Sequence, residues 1–141
     1  MRTTARALVP EGWAFFTRSP REEQATVWGL AAGGSRFHER GLGPYAQPAN
    51  GFGWNREARA LNLEIGILQT AVSDRWAPCP GGDVSACLQR EPALAIRNEA
   101  PEPLLCGSVG ISLREPVPWA WAEGQDPNGM PTRVARLDVS C

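Results

Sequence analysis

The chain has 141 residues, of which 43% are hydrophobic, and its formal net charge at pH 7 is -1. This length favours one domain with a single core, and the hydrophobic share argues against disorder. A net charge this close to zero provides no field that would attract phosphate backbones or anionic lipid, so nucleic acid is not an expected partner. The sequence contains neither a long apolar run nor a signal-peptide pattern, so it predicts no membrane-spanning helix.

The N-terminal stretch GWAFFTRSPREE, residues 12–23, combines aromatic side chains with a charged turn. GWAFFTR and the following QATVWGLA are apolar runs separated by a proline-containing turn, which predicts a strand, a loop and a second strand. Side chains alternate along a strand, so Trp13 and Phe16 would point to opposite faces. One face is expected to pack and the other to remain free, and Trp13, Phe16, Arg18 and Arg21 are predicted to contact a peptide or a partner. A solvated hairpin tip is the alternative for the two arginines.

The Gly- and Pro-rich segment 33–53 predicts a long ordered loop, a kind of segment that often carries recognition. It contains the single histidine, His38. A Cys and His nucleophile pair would require His38 to meet a free cysteine such as Cys106, which disulfide formation excludes. No P-loop, G-x-S-x-G or H-E-x-x-H motif occurs, so no common catalytic constellation is predicted.

One long helix is predicted over NREARALNLEIGILQTAVSDR, residues 55–75. Asn55 can cap its start, and Pro78 prevents continuation beyond Trp76. At about 100° per residue the polar positions form one stripe and leave a wide apolar arc. The stripe consists of Arg59, Asn62, Gly66, Gln69 and Ser73, and the arc of Ala60, Leu61, Ile65, Ile67, Leu68, Ala71 and Val72.

Glu64 lies near the middle of this apolar arc. Burying a lone ionised carboxylate would cost several kcal/mol, so we expect Glu64 to pair with an arginine or with backbone amides, or to stay protonated. An ion pair with an arginine that ties the helix to the sheet is the favoured interpretation. Glu64 is also the first candidate for a catalytic acid or base, because buried carboxylates recur at functional sites.

The four cysteines have spacings that match neither a C-x-x-C redox pair nor a zinc site, so no metal and no cofactor are predicted. An even number near Pro and Gly turns predicts two disulfides in an oxidising compartment, with three possible connectivities. We favour Cys79 with Cys87 and Cys106 with Cys141. On the chain-entropy estimate these bonds would contribute about 2.6 and about 4 kcal/mol. The alternative is four reduced, buried thiols in a cytosolic protein.

Three more strands are predicted in ALAIRNE, LLCGSVGISL and RVARLDVSC. The last has an alternating pattern that slips at Ala135 and is typical of a half-exposed outer strand. Before it lies the proline-broken stretch with Trp119 and Trp121, which would form a docking surface or a flap over the core. Together the elements predict a single α+β domain over residues 1–141, with a small antiparallel sheet, one long helix on one face and two disulfides. Residues 1–10 and 122–132 are expected to be irregular.

Five segments, in order, carry a family resemblance: GWAFFTRSPREE, NGFGWNREARALNLEIGIL, RWAPC, LLCGSVGI and EPVPWAWA. They resemble the SdpA family of antimicrobial peptide system proteins. The resemblance implies a bacterial accessory protein on the periplasmic or cell-surface side of the membrane. Such a protein acts with a multi-spanning membrane partner, SdpB, in maturation or export of a secreted peptide toxin, a bacteriocin, from its precursor.

The resemblance lends no catalytic residue and no cofactor. Family members usually carry an N-terminal anchor that the opening MRTTARALVPEGW lacks. Membrane association is therefore expected only through the partner or through an anchor that is missing here. Two alternatives remain: a subunit that supplies the Glu64 carboxylate for peptide processing, and an independent secreted binding or inhibitor module that uses the 33–53 loop.

Overall fold

A computed structural model describes residues 19, 21–31, 33–41, 48, 51, 54, 56–118, 123 and 129–141. Six strands and two helices lie within these residues. In chain order they are β1 (Gln24–Leu30), β2 (Phe37–Glu39), α1 (Glu57–Val72), β3 (Ala77–Pro78), α2 (Val84–Arg90), β4 (Leu94–Arg97), β5 (Gly107–Arg114) and β6 (Thr132–Ser140).

The strands form one sheet in the order β2-β1-β5-β6-β3, and β4 also pairs with β6. The pairs are antiparallel except for β4 and β6, which run parallel. The predicted small antiparallel sheet is therefore confirmed in its main part. The prediction that the last strand is an outer one is wrong, because β6 lies between β5 and the strands β3 and β4.

The alternation of apolar and polar residues along β6 is interrupted because both faces of the strand are covered. Ala135, Leu137 and Val139 belong to the core on one side of the sheet, whereas Val134 belongs to the core on the other side. Successive side chains of a strand point to opposite faces, so an apolar residue at each of two successive positions is expected of a strand packed on both sides.

Helix α1 covers the first face of the sheet. Its Ile65, Leu68 and Val72 are buried in the larger core cluster with Val27, Ile96, Leu105, Val109, Ile111, Ala135, Leu137 and Val139. These helix positions recur every three or four residues, as an amphipathic helix requires. The predicted apolar arc is too wide, because Ala60 and Ala71 are exposed.

The prediction of one long helix is not confirmed. Helix α1 has 16 residues and ends at Val72, before the predicted boundary, with Ser73 at a positive φ of 58°. Asn55, the predicted cap, lies outside the described residues. A second helix, α2, has seven residues in a segment that we expected to be only a loop closed by a disulfide. Its start is capped by Asp83, whose side chain accepts a hydrogen bond from the amide of Ala86 at 3.0 Å.

Helix α2 covers the second face of the sheet. Its Leu88 is fully buried with Phe37, Val84 and Val134. Leu88 sits directly over Gly110 of β5, where a Cβ atom would lie 2.4 Å from its Cδ1 atom. The absence of a side chain at position 110 thus lets α2 approach the sheet closely.

Both predicted disulfides are confirmed. Cys79 and Cys87 are bridged between the segment after β3 and α2, and Cys106 and Cys141 are bridged between the start of β5 and the end of β6. The first bond holds α2 in place on the sheet. The second fixes the C-terminal residue to an internal strand.

Candidate functional site

Glu64 is buried with 1% of its surface exposed, and its carboxylate accepts hydrogen bonds from three N–H groups. The amide N–H of Leu104 donates to Oε1 at 2.8 Å and to Oε2 at 3.0 Å. The amide N–H of Leu105 and the side-chain Nδ2 of Asn98 donate to Oε2 at 2.9 and 2.8 Å. Helix α1 is therefore tied to the segment 98–105 by one buried carboxylate.

Asn98 completes this cluster. It is 5% exposed, and its Nδ2 also donates to the carbonyl oxygen of Leu105 at 3.1 Å. Its Oδ1 accepts from the amide of Ala100 at 3.0 Å, and its own amide donates to the carbonyl of Ser140 at 2.9 Å. The polar atoms of Asn98 are thus engaged within the chain, as buried polar groups require.

The contacts of Glu64 distinguish between its possible partners and between a structural and a catalytic role. Among the described residues its hydrogen-bond partners are amides, so the favoured pairing with an arginine is wrong and the backbone-amide alternative is confirmed. A carboxylate at 1% exposure with both oxygens engaged has no contact with solvent through which a substrate could reach it. This geometry favours a structural role over proton transfer.

Most of the residues predicted to contact a peptide or a partner lie outside the described residues. Trp13, Phe16, Arg18, Trp119 and Trp121 are outside the described residues, and so is the strand predicted in GWAFFTR. Their contribution to a surface stays a prediction.

Two other predicted surface residues are described. Arg21 is exposed, and its amide donates to the Ser19 Oγ atom at 3.2 Å in a local turn. His38 is exposed on β2, opposite Gly29 of β1. The loop predicted for 33–53 therefore contains a short strand that extends the sheet.

A cleft of about 480 Å³ lies on the second face of the sheet, at the side of β1 and β5. It is lined by Gln24, Thr26, Trp28, Glu39, Gly82, Ser112, Arg114, Glu115, Pro116 and Val117. The Trp28 Nε1 atom donates to Ser112 Oγ at 2.9 Å, which fixes the indole across the two strands. The floor thus combines a fixed aromatic surface with charges of both signs.

Sequence reasoning missed this cleft, although a signal for it exists. Polar residues at alternate positions of β1 and β5 line it, and such alternation marks the polar face of a strand. The cleft continues to Val117, two residues before Trp119. The floor of the cleft and the start of the predicted tryptophan surface are therefore neighbours in the chain.

A smaller cleft of about 250 Å³ is lined by Arg40, Gly41, Glu57, Leu61 and Leu104. Among the described residues the exposed large apolar side chains are Trp54, Leu63 and Leu104, at 91%, 64% and 37% exposure. Leu61 and Leu63 belong to α1, and Leu104 belongs to the segment that binds Glu64.

The described residues offer neither a metal site nor a membrane-spanning helix. No group of three His, Cys, Asp or Glu side chains within them could hold a metal ion. Neither described helix has the length and apolar character needed to cross a membrane.

Comparison with known proteins finds relatives for almost the whole chain. The family described as "Sporulation delaying protein SdpA" matches residues 1–139, which confirms the resemblance seen in the sequence segments. The sporulation-delaying protein SdpA of Bacillus subtilis strain 168 is 27% identical over 137 residues, covering 94% of this chain and 80% of that protein. The uncharacterized protein YitP of the same strain is 25% identical over 136 residues, covering 96% of this chain and 74% of YitP. No solved structure matches.

Proposed function

The chain belongs to the SdpA family, and we propose from this membership that it acts in a sporulation-delaying toxin system. In this role it is an accessory protein that works with an SdpB-like multi-spanning membrane partner. The two together mature or export a secreted antimicrobial peptide from its precursor. The family match over residues 1–139 is the observation that carries the proposal.

The disulfides support a place outside the cytoplasm. Two bonds account for the four cysteines, and disulfides form and persist mainly in oxidising compartments. The periplasmic or cell-surface side of a bacterial membrane is such a compartment. A secreted peptide toxin has to reach the same side, which agrees with an accessory protein located there.

The position of Glu64 supports an accessory role over a catalytic one. Its carboxylate is occupied by N–H donors of Asn98, Leu104 and Leu105 and is not part of a described cleft. A general acid or base must reach the proton it transfers directly or through one water molecule. The bond cleavage of peptide maturation is therefore assigned, in this proposal, to another component.

The peptide or the partner would contact the chain through its aromatic and basic surface. The residues predicted for it are Trp13, Phe16, Arg18, Arg21, Trp119 and Trp121. The cleft on the second face of the sheet would extend this surface, because its described lining reaches Val117, two residues before Trp119 in the chain. An extended peptide lying there would contact the Trp28 indole.

Deletion of this chain in a toxin-producing host tests the proposal. Mass spectrometry of the medium should show loss of the mature peptide, while the precursor persists in the cells and the membrane partner remains at normal level by immunoblot. Expression of the wild-type chain should restore the mature peptide. Unchanged secretion of the mature peptide in the deletion strain would contradict the proposal.

Crosslinking tests the location of the contact. A photo-crosslinking amino acid at Arg21 should capture the membrane partner or the precursor in intact cells. The same amino acid at Arg75, which is exposed beyond the end of α1, is the matched control and should capture neither. Equal capture from the two positions would contradict the proposed surface.

A further inference from the structure

The two disulfides differ in their access to solvent. Cys79 and Cys87 are each 4% exposed and lie in the core cluster of α2. Cys106 and Cys141 are both exposed, one at the start of β5 and the other beyond the end of β6. Thiol–disulfide exchange requires a thiolate to reach a sulfur atom, and exposed disulfides are the more easily reduced ones. The Cys106–Cys141 bond is therefore the one that an external thiol can attack.

The buried bond is also shielded by its neighbours. Leu88 and Val134, which have no exposed surface, belong to the same cluster as Cys79 and Cys87. A thiolate reaches these sulfur atoms only after α2 has moved away from the sheet. That movement exposes apolar surface to water and is unfavourable. The two bonds should thus differ in their rate of reduction.

The exposed bond is connected to the buried carboxylate of Glu64 through one residue. The Leu105 amide donates to Glu64 Oε2 at 2.9 Å, and Leu105 directly precedes Cys106. The carbonyl oxygen of Leu105 accepts from Asn98 Nδ2 at 3.1 Å and lies 3.5 Å from the Cys141 Sγ atom. The covalent bond thus holds the peptide group between Leu105 and Cys106 beside Asn98 and Glu64.

The body of the sheet is held by other contacts. Leu137 and Val139 of β6 are buried in the larger core cluster, and β6 pairs with β5 along residues 132–139. These contacts do not involve the sulfur atoms. Loss of the Cys106–Cys141 bond is therefore expected to loosen the segment 98–105 and the residues after Val139 without separating the strands.

We propose that the Cys106–Cys141 bond is a site of thiol–disulfide exchange with a protein dithiol, and that its reduction releases the segment 98–105 from Glu64. A dithiol of the C-x-x-C class, as in thioredoxin-like proteins, fits this site because its second thiol completes the exchange. The oxidised chain holds α1 firmly on the segment, and the reduced chain holds it less firmly. The bond is in this way a redox-sensitive switch in the attachment of α1.

The exchange balances as a two-electron reduction. One thiol of the dithiol loses its proton and attacks the Cys106 sulfur, the Cys106–Cys141 bond breaks, and Cys141 leaves and takes up a proton. The second thiol likewise loses its proton and attacks the mixed disulfide, so the partner leaves as a disulfide and Cys106 as a thiol. Attack at Cys106 is favoured because the contact of the Cys141 sulfur with the Leu105 carbonyl is partly buried.

Limited reduction of the purified, oxidised chain tests this reactivity. The reductant is dithiothreitol or a thioredoxin-class protein whose second active-site cysteine is replaced by serine, and alkylation at intervals is followed by peptide mass spectrometry. With dithiothreitol, Cys106 and Cys141 should be labelled about tenfold or more faster than Cys79 and Cys87. The thioredoxin-class variant should form a mixed disulfide at Cys106. Equal labelling of the two pairs, a mixed disulfide at any other cysteine, or none at all would overturn the inference.

Nuclear magnetic resonance tests the coupling to Glu64. After selective reduction, the signals of the Leu104 amide and the Asn98 side-chain amide should shift, because both groups donate to the carboxylate. The amide signals of Val27 and Leu88, in the two core clusters, should stay in place. Unchanged signals of Leu104 and Asn98 would show that the bond does not hold the segment. Equal shifts throughout the chain would show general unfolding, which also contradicts a local switch.

Two double variants control these measurements. Replacing Cys106 and Cys141 together by Ser should give the spectrum of the reduced chain, and the dithiothreitol concentration that reduces the wild type selectively should leave it unchanged. A spectrum like that of the oxidised wild type would contradict the inference. Replacing Cys79 and Cys87 together by Ser should leave the reduction rate of the exposed bond within about twofold of the wild type. If this second variant fails to fold, the first still decides the outcome.

The inference does not rest on the proposed function, because the purified chain is sufficient for these experiments. If the exposed bond shows no selective reduction while deletion of the chain still abolishes toxin maturation, the inference fails and the proposed function stands. If reduction is selective and shifts the signals of Leu104 and Asn98 while deletion leaves maturation unchanged, the reverse holds.

Discussion

Glu64→Gln is the smallest change that separates a structural role of this carboxylate from a catalytic one. The variant keeps the shape of the side chain but replaces one oxygen by an NH₂ group. Its single carbonyl oxygen can occupy the position of Oε2 and keep the bonds from Asn98 and Leu105. The new NH₂ group then stands where Oε1 accepts from the amide of Leu104 at 2.8 Å, so two donors face each other.

The magnitude follows from these contacts. The amide of Leu104 loses its 2.8 Å bond to Oε1 and keeps only its 3.0 Å contact at the Oε2 position, while the new NH₂ group is left opposed to it. This change should lower the free energy of unfolding by about 2 kcal/mol. Glu64→Ala removes the acceptor for all three N–H groups and leaves a cavity, so a loss of about 4 kcal/mol is expected. Glu102→Gln makes the same chemical change at an exposed position nearby and should alter the free energy by less than about 0.5 kcal/mol.

Urea unfolding of the oxidised chain, followed by far-UV circular dichroism, measures these differences. The same variants should be compared for toxin maturation in the producing host at a temperature where each remains folded. A structural role predicts that Glu64→Gln, once folded, supports maturation. If Glu64→Gln unfolds at the wild-type urea concentration and yet abolishes maturation, the structural reasoning is refuted and the catalytic alternative is favoured.

Three further predictions concern the disulfide and helix α2. Replacing Cys106 and Cys141 together by Ser should lower the free energy of unfolding by about 4 kcal/mol, measured by urea unfolding, and an unchanged midpoint would contradict the role of the bond. Gly110→Ala should cost about 1–3 kcal/mol because its Cβ atom would meet Leu88, and the cost should fall when Leu88 is also changed to Ala. Asp83→Ala should cost about 1 kcal/mol through loss of the helix cap, visible as a lower thermal midpoint; no change would show that the cap contributes nothing.

Features set by spacing or periodicity were predictable from the sequence. The even number of cysteines near turns predicted the two bonds, and the choice of Cys106 with Cys141 is confirmed. The strands at ALAIRNE, LLCGSVGISL and RVARLDVSC are present as β4, β5 and β6. The periodicity of α1 placed Glu64 on its buried face, and the side chain is 1% exposed.

Features that depend on tertiary contacts were not predictable in the same way. Backbone amides satisfy Glu64, and an amide donor leaves no mark in the sequence, so an arginine was the more visible partner. Helix α2 has only seven residues, and its stability comes from the Cys79–Cys87 bond and from Leu88 against the sheet more than from propensity.

The segment 98–106 is the point at which helix α1, the C-terminal strand and the second disulfide meet. Asn98 binds both Glu64 and the backbone of Ser140, and the amide that donates to Glu64 from Leu105 directly precedes Cys106. Because Cys106 is bridged to the last residue, the same bond that fixes the end of β6 also restrains the donors that hold α1. Breaking it in a reducing compartment would loosen the C-terminus and the buried carboxylate together. The oxidising location in the proposed function would therefore stabilise the packing of helix α1 through this bond.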